Sequence, residues 1–233
     1  MKVAIIPARG GSKRIPRKNI RLFNGKPMLA WSVETALQSG VFDRVIVSTD
    51  DAEIADVARA FGAEVPFMRP ATLADDHTGT SAVVRHAAQW LSEREQVTLV
   101  GCIYATAPLL CPEDLSQAAA ALAENPALKF VFSGCRFSFP IQRALYRNAQ
   151  GQVEPVQPDA MPKRSQDLPE TFHDAGQFYL GSAEAWLSGA PMFAAHSYLQ
   201  ELPQHRVQDI DTEADWQRAE LLQQLLIQQN RSR

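Results

Sequence analysis

Residues 7–21, PARGGSKRIPRKNIR, form a strongly basic stretch that could bind an anion. The stretch holds six Lys or Arg side chains, and no Asp or Glu occurs in the chain before Glu34. The whole chain of 233 residues nevertheless has a formal net charge of -3, so its positive charge is concentrated near the start. Gly10 and Gly11 would let backbone N–H groups approach an anion closely. The pattern favours a site for a small polyphosphate, with a solvated basic surface loop as the alternative.

Two carboxylates near the other end of the sequence could hold a metal ion. Asp209 and Asp211 flank Ile210 in a segment that we expect to be extended, where residues i and i+2 point to the same face. Mg²⁺ typically takes one or two carboxylates together with substrate phosphates and water. A helix cap is the alternative for Asp211, because a helical pattern follows and Thr212 with Asp215 also fits a capping box. The spacing leaves both interpretations open.

Composition argues against several other classes of function. The basic segment has few aromatic side chains nearby for base stacking, which disfavours a nucleic-acid-binding protein. No apolar stretch approaches the roughly 20 residues of a membrane helix, and the first apolar run is too short for a signal peptide. The three cysteines form no CxxC pair and the five histidines no HExxH motif. We therefore expect reduced thiols and a cytoplasmic protein that acts away from membranes.

Strand and helix patterns alternate over roughly the first 135 residues, which predicts a three-layer, Rossmann-like α/β fold with a mostly parallel sheet. Strand-like segments occur at 2–7, 44–49, 63–68, 97–104 and 129–135. Helical patterns occur at 27–40, 50–62, 80–95 and 111–126. Such sheets bind ligands at the carboxyl ends of their strands, and the basic stretch follows the first strand directly.

Residues 136–172 interrupt this alternation. They are rich in Pro, Gln and Arg, and two strand-like pieces, RALYRN and QVEPVQ, surround Gly151. We expect a small hairpin excursion and a substrate loop here and not a second domain. A strand at 176–182 and an extended segment at 206–212 then lead to the last helix. The prediction is one domain over residues 1–233.

The segment PARGGSKRIPRKN resembles the signature loop of the nucleotide-sugar cytidylyltransferases. The resemblance continues through KPMLAWSVETAL, RPATLADD, RSQDLPE, FHDAGQFYL and DIDTEADWQRAE, over nearly the whole chain. Members of this family join CTP to an acidic sugar, release pyrophosphate and have the nucleotide-diphospho-sugar transferase type of fold. Within the family, YATAPLL and FHDAGQFYL are most similar to enzymes acting on pseudaminic acid, a sialic-acid-like nine-carbon sugar. N-acetylneuraminic acid and legionaminic acid are the alternative substrates.

The resemblance also implies roles for individual residues. Arg9 and Lys18 are expected to be catalytic. Residues expected to bind CTP are Ala8, Arg9, Gly10, Gly11, Ser12, Lys13, Lys18, Asn19, Arg69 and Thr80. Residues expected to contact the sugar are Tyr104, Thr106, Arg164, His173 and Gln177. The cofactor expected on Asp209 and Asp211 is Mg²⁺.

Two further expectations follow from the resemblance. The family implies a homodimer, with residues 136–172 as the candidate contact between subunits. A non-catalytic, nucleotide-binding regulatory protein of the same fold is the alternative from another class, because a fold does not dictate a function. Release of pyrophosphate from CTP would distinguish the two. His173 is equally consistent with a sugar contact and with a structural histidine.

Overall fold

Ten strands and six helices form the computed structural model, which describes residues 1–75 and 78–231. The strands are β1 (Lys2–Pro7), β2 (Leu22–Phe23), β3 (Lys26–Pro27), β4 (Arg44–Ser48), β5 (Leu99–Ile103), β6 (Phe130–Arg136), β7 (Leu145–Arg147), β8 (Val153–Pro155), β9 (Phe172–Ser182) and β10 (Ser197–Glu201). The helices are α1 (Met28–Gln38), α2 (Ala52–Ala60), α3 (Thr80–Ser92), α4 (Pro112–Glu124), α5 (Ala183–Ser188) and α6 (Glu213–Arg231). No helix in these described ranges is both long enough and apolar enough to cross a bilayer.

A six-stranded sheet in the order β10-β6-β9-β5-β1-β4 forms the centre of the fold. β1 pairs in parallel with β4 and β5, and β10 pairs in parallel with β6. β9 is antiparallel to both of its neighbours, β5 and β6. The sheet is therefore mostly parallel, as predicted, with one reversed strand in its interior.

Apolar side chains cover both faces of this sheet, which confirms the predicted three layers. On one face, Leu29 of α1, Ile54 of α2 and Leu115 of α4 belong to one buried cluster. On the other face, Leu91 of α3 and Trp186 of α5 belong to a second buried cluster. Helices on both faces are the arrangement expected for strands that read as continuous apolar runs.

The excursion predicted between residues 136 and 172 is present. β7 and β8 pair antiparallel, and their side chains are exposed on both faces. A two-stranded hairpin is marginally stable on its own, so a further surface that covers it would stabilise it.

The strand predicted at 63–68 is wrong in extent. Only Glu64 pairs with the sheet, through an isolated parallel bridge to Ile46. The strand predicted at 176–182 is longer than expected, since β9 begins at Phe172 and pairs with β6 on both sides of an irregularity between Phe132 and Gly134. The pattern missed these four residues because His173 and Asp174 interrupt the apolar run, and Asp174 is exposed.

A third apolar cluster joins the two ends of the sequence. Ile15 of the basic stretch packs with Phe23 and Met28 against Ile210 and Trp216, all buried. Trp216 meets the ring of Phe23 edge-on, with 5.3 Å between ring centroids. This packing places the basic stretch against the segment that holds Asp209 and Asp211.

Candidate active site

A cleft of about 570 Å³ opens where β1 and β5 end. Its floor includes Pro7 at the end of β1 and Ala105 just after β5. The predicted site residues that line it are Arg9, Ser12, Lys13, Lys18, Asn19, Arg69, Thr80, Tyr104 and Thr106. Nine residues predicted from distant parts of the sequence thus meet at one edge of the sheet, which is where parallel α/β sheets bind ligands.

Several cations of the basic stretch form ion pairs with acids elsewhere in the chain. Arg14 pairs with Asp211 at 2.8 Å, and Arg21 pairs with Glu213. Arg17 pairs with Asp51 and with Glu53, each at 2.5 Å. These ion pairs connect the stretch to other parts of the fold, and its role as an anion site stays a prediction.

Arg17 has a left-handed backbone conformation, with a φ of +54°. This conformation is costly for a residue with a side chain and persists where surrounding contacts impose it. The two ion pairs of Arg17 supply such contacts, and its carbonyl oxygen accepts hydrogen bonds from the N–H groups of Ile20 and Arg21. The turn directs the next side chain, Lys18, into the cleft.

Lys18 connects the basic stretch to the carboxylate pair. Its ammonium group donates a hydrogen bond of 2.6 Å to the carbonyl oxygen of Ile210 and lies 3.7 Å from the carboxylate of Asp211. The side chain is 20% exposed. Burial lowers the pKa of Lys18, while Asp211 and Asp209 raise it. Lys18 is thus a half-buried cation that lines the cleft and can contact an anionic ligand there.

Asp209 and Asp211 lie on either side of the buried residue Ile210, in the segment just before α6, and their role as metal ligands stays a prediction. Burial raises the pKa of Asp209, and the neighbouring Asp211 raises it further. A carboxylate next to another carboxylate is stabilised by a divalent cation, and hard oxygen ligands suit Mg²⁺. The pair therefore fits Mg²⁺, with substrate phosphates and water completing the ligand set. In the described ranges, no group of three or more His, Cys, Asp or Glu residues could hold a metal.

The capping alternative for Asp211 is decided by the start of α6. The hydroxyl of Thr212 accepts a hydrogen bond from the N–H of Asp215 at 3.2 Å. The carboxylate of Asp215 accepts in return from the N–H of Thr212 at 2.9 Å. Thr212 and Asp215 thus form the capping box, and the carboxylate of Asp211 is directed to Arg14 and Lys18.

Arg69 is a buried arginine at the wall of the cleft. It is 6% exposed, and its guanidinium donates to Asp50 at 3.1 Å. The buried Nε–H of Arg69 has no acceptor among residues 1–75 and 78–231. A buried donor without an acceptor is costly, so this group suits an oxygen atom of a ligand.

Gly10 is required by its contact with the start of α2. A Cβ atom at this position would lie 2.6 Å from a carboxylate oxygen of Asp51. The N–H of Gly10 donates to Asp50 at 3.3 Å, so in this structure it already has an acceptor within the protein. Ala8 is buried, and Gly11 has open space around it. These three residues lie beside the cleft and do not line it.

A second cavity of about 220 Å³ adjoins the first. Thr80 and Tyr104 line both, and the Tyr104 hydroxyl lies 3.4 Å from that of Thr80. The other lining residues include Asp174, Tyr179, Trp186, Met192 and Phe193. Sequence reasoning missed these side chains, because they come from β9, α5 and a loop whose packing no local pattern reports.

Three of the predicted sugar contacts lie outside both cavities. Arg164 is 74% exposed and pairs with Asp167 at 2.8 Å within the excursion. His173 packs edge-on against Phe137, with 5.0 Å between ring centroids. Gln177 is buried and donates to the carbonyl oxygen of Arg206 at 2.5 Å. Their roles as sugar contacts remain predictions, and the geometry of His173 favours its structural interpretation.

The family of this chain follows from comparison with known proteins. The model of the cytidylyltransferase family matches residues 3–231. The chain belongs to this family. It is thus an enzyme, a CTP-dependent nucleotidyltransferase, and not a non-catalytic regulatory protein of the same fold.

Named relatives of this cytidylyltransferase act on sialic-acid-like sugars. It is 47% identical over 221 residues to the pseudaminic acid cytidylyltransferase of Campylobacter jejuni, covering 94% of this chain and 95% of that protein. It is 33% identical over 219 residues to N-acylneuraminate cytidylyltransferase A of Danio rerio, covering 93% of this chain and 49% of the relative. Sequence similarity is thus higher to the first of these two.

A solved structure supports the fold of the cytidylyltransferase. CMP:2-keto-3-deoxy-manno-octonic acid synthetase, complexed with CTP, superposes with a TM-score of 0.69 at 20% sequence identity. The superposition covers 98% of this chain and 100% of that one. The predicted fold type is therefore confirmed.

Proposed function

We propose that this cytidylyltransferase transfers CMP from CTP to the anomeric hydroxyl of pseudaminic acid and releases pyrophosphate. The observation that carries the proposal is the continuity of two cavities: a cationic cleft and an aromatic cavity that share Thr80 and Tyr104. The cleft suits a triphosphate, and the aromatic cavity suits a sugar that has few hydroxyls. The 47% identity to a pseudaminic acid cytidylyltransferase supports the same substrate.

The cations of the cleft supply the charge that the reaction needs. The anomeric oxygen attacks the α-phosphorus in line, its proton leaves to solvent, and the bond to the β-phosphate oxygen breaks. Such a transfer depends on positioning and on neutralising charge more than on covalent catalysis. Arg9, Lys13 and Lys18 line the cleft on the side of the basic stretch, and we assign the phosphates to them.

Asp209 and Asp211 would hold Mg²⁺ beside these phosphates. The ion would supply Lewis-acid stabilisation of the phosphate oxygens. Lys18 and Arg14, which line the cleft, form ion pairs with Asp211, so the carboxylate lies beside the cleft without lining it. Arg69 would donate its buried Nε–H to an oxygen of the nucleotide.

A competition assay tests the substrate. Purified enzyme receives CTP, Mg²⁺ and equal amounts of pseudaminic, legionaminic and N-acetylneuraminic acids, and the CMP-sugars are separated. We expect CMP-pseudaminic acid to exceed the other products by at least about 100-fold. A pocket built around one pattern of hydrogen-bonding groups strongly rejects a sugar with another pattern.

Each outcome of this assay has a distinct meaning. Preferential formation of CMP-neuraminate would overturn the substrate and leave the transfer reaction standing. A lack of any CMP-sugar, with no pyrophosphate released from CTP, would contradict the transfer reaction itself.

We further propose that the cytidylyltransferase is a homodimer joined through the β7–β8 hairpin. The pairing of Leu145 with Pro155 and of Arg147 with Val153 places Leu145 and Val153 on one face of the hairpin. These two apolar side chains are 51% and 58% exposed. Neighbouring apolar residues, Phe139 and Ile141, are exposed as well. A second copy of this chain would cover the patch and stabilise an otherwise marginal hairpin.

The double variant Leu145→Glu/Val153→Glu tests the dimer. We expect it to sediment as a monomer while the unmodified chain sediments as a dimer, because four buried charges would face one another across the interface. Leu22→Glu is the matched control, since Leu22 is a 62% exposed residue of the other small hairpin, β2–β3. A monomeric unmodified chain, or a double variant that remains dimeric, would contradict the interface.

We also assign the cytidylyltransferase to the cytoplasm. Cys102, Cys111 and Cys135 are all free thiols in the structure. Reduced thiols are typical of the cytoplasm, whereas secreted domains tend to pair their cysteines.

A further inference from the structure

The aromatic cavity contains a carboxylate, Asp174, that the transfer reaction does not use. Asp174 lies in β9 and lines the cavity together with Tyr104, Tyr179 and Phe193. Among the described residues that line this cavity, Asp174 is the only acid. An acid here is unexpected, because the proposed sugar is itself an anion and like charges repel.

Two hydrogen bonds fix the carboxylate of Asp174. One oxygen, Oδ2, accepts from the hydroxyl of Tyr179 at 2.5 Å. The other, Oδ1, accepts from the N–H of Gly176 at 2.8 Å. Burial raises the pKa of Tyr179, so its hydroxyl stays protonated and remains a donor. The carboxylate is therefore held in one orientation before a ligand binds.

A fixed carboxylate still has capacity to accept further hydrogen bonds. Its two oxygens offer about four lone-pair sites, of which the contacts from Tyr179 and Gly176 use two. A carboxylate only accepts, so the matching group of a ligand must be an N–H or O–H donor. Asp174 also lies across Tyr104 from a cleft rich in cations, which attracts the carboxylate of an acidic sugar.

We propose that Asp174 determines which end of the sugar enters the aromatic cavity. The inference rests on the proposed function and names a specificity-determining residue for it. Asp174 accepts a hydrogen bond from an acylamino N–H of the sugar and repels the sugar carboxylate toward the cationic cleft. A sugar with a donor at that position is thereby bound in the orientation that presents its anomeric hydroxyl to CTP.

The test combines enzyme variants with sugar analogues. Asp174→Asn keeps the shape of the side chain but removes the charge. The N–H of Gly176 favours the amide oxygen on its own side, which places an NH₂ group where Oδ2 accepts from Tyr179, so one acceptor is replaced by a donor. The probes are pseudaminic acid and two analogues in which one or the other acetamido N–H is replaced by an ester oxygen. We expect Asp174→Asn to lower kcat/KM for pseudaminic acid by roughly 10–100-fold, the range for a hydrogen bond to a charged group.

The combination of variant and analogue gives the decisive result. One analogue should lose roughly 10–100-fold with the unmodified enzyme and show no additional loss with Asp174→Asn, because the two changes remove the same hydrogen bond. The KM for CTP should stay within about twofold, since Asp174 does not line the nucleotide cleft. Tyr179→Phe is the companion variant, because it removes one hydrogen bond to Asp174 while keeping its charge.

Several results would overturn the inference. One is an unchanged kcat/KM in Asp174→Asn. Another is a loss for both analogues that multiplies independently with the loss in Asp174→Asn. A third is an equal loss in Asp174→Asn and Tyr179→Phe together with a raised KM for CTP, which would indicate a structural role. If the unmodified enzyme uses N-acetylneuraminic acid and not pseudaminic acid, the substrate in the proposed function is wrong, and analogues of that sugar then test Asp174 in the same way. If it forms no CMP-sugar at all, the proposed function and this inference both fail.

Discussion

Asp209→Asn is expected to reduce kcat by roughly 100-fold or more, at or beyond the upper end of the losses seen for groups around a metal ligand. The reason is the pairing of two carboxylates across Ile210, which fits a divalent cation. Removing one charge weakens Mg²⁺ binding while the backbone stays as it is. Steady-state rates over a range of Mg²⁺ concentrations measure the effect, and calorimetric titration with Mg²⁺ in the presence of CTP measures binding without turnover.

Asp215→Asn is the matched control for this variant. Asp215 lies six residues further on and belongs to the capping box of α6, where Asn is also an effective capping residue. We expect near-normal turnover and normal Mg²⁺ dependence. Normal turnover in Asp209→Asn, with an unchanged response to Mg²⁺, would contradict the metal site.

Lys18→Ala is expected to reduce kcat/KM for CTP by roughly 10²–10³-fold, the cost of losing one preorganised group that stabilises developing charge. Lys18 lines the cleft and is held there by the carbonyl oxygen of Ile210. The variant should also unfold more easily, by about 1–3 kcal/mol, because that carbonyl oxygen loses its partner in a buried setting. Steady-state kinetics and denaturant unfolding measure the two effects separately.

Lys26→Ala controls for the general cost of removing a half-buried, ion-paired lysine. Lys26 is 27% exposed, pairs with Glu34 and lies over the ring of Trp31, outside the cleft. We expect this variant to lose some stability and to retain its kinetics. If Lys18→Ala were equally active, the assignment of the phosphates to the basic stretch would be wrong.

Sequence periodicity could predict the elements that bury a continuous apolar face. β1 and β4 read as short apolar runs, and the start of α2 is marked by Asp51, which caps it as expected. The direction of β9 could not be predicted, because an apolar run has the same pattern in parallel and antiparallel pairs. The edge strand β10 was missed because its sequence, SYLQE, mixes polar and apolar residues. As an edge strand it pairs with one neighbour only, β6.

In the candidate site, too, some features could be predicted from the sequence and others could not. The basic stretch and the carboxylate pair could be recognised, since each is a local pattern of residue types. The acids that neutralise Arg14 and Arg17 could not, because Asp211 and Asp51 come from other parts of the chain and only tertiary packing brings them near. The aromatic cavity was missed for the same reason.

The bond between Lys18 and the carbonyl oxygen of Ile210 spans 192 positions of sequence. At the usual pace of translation, about 5–20 residues per second, a ribosome needs roughly 10–40 s to make the second partner after the first. During that interval the nascent chain has a basic loop without the segment that orders it. The candidate site is therefore among the last features of the chain to form during synthesis.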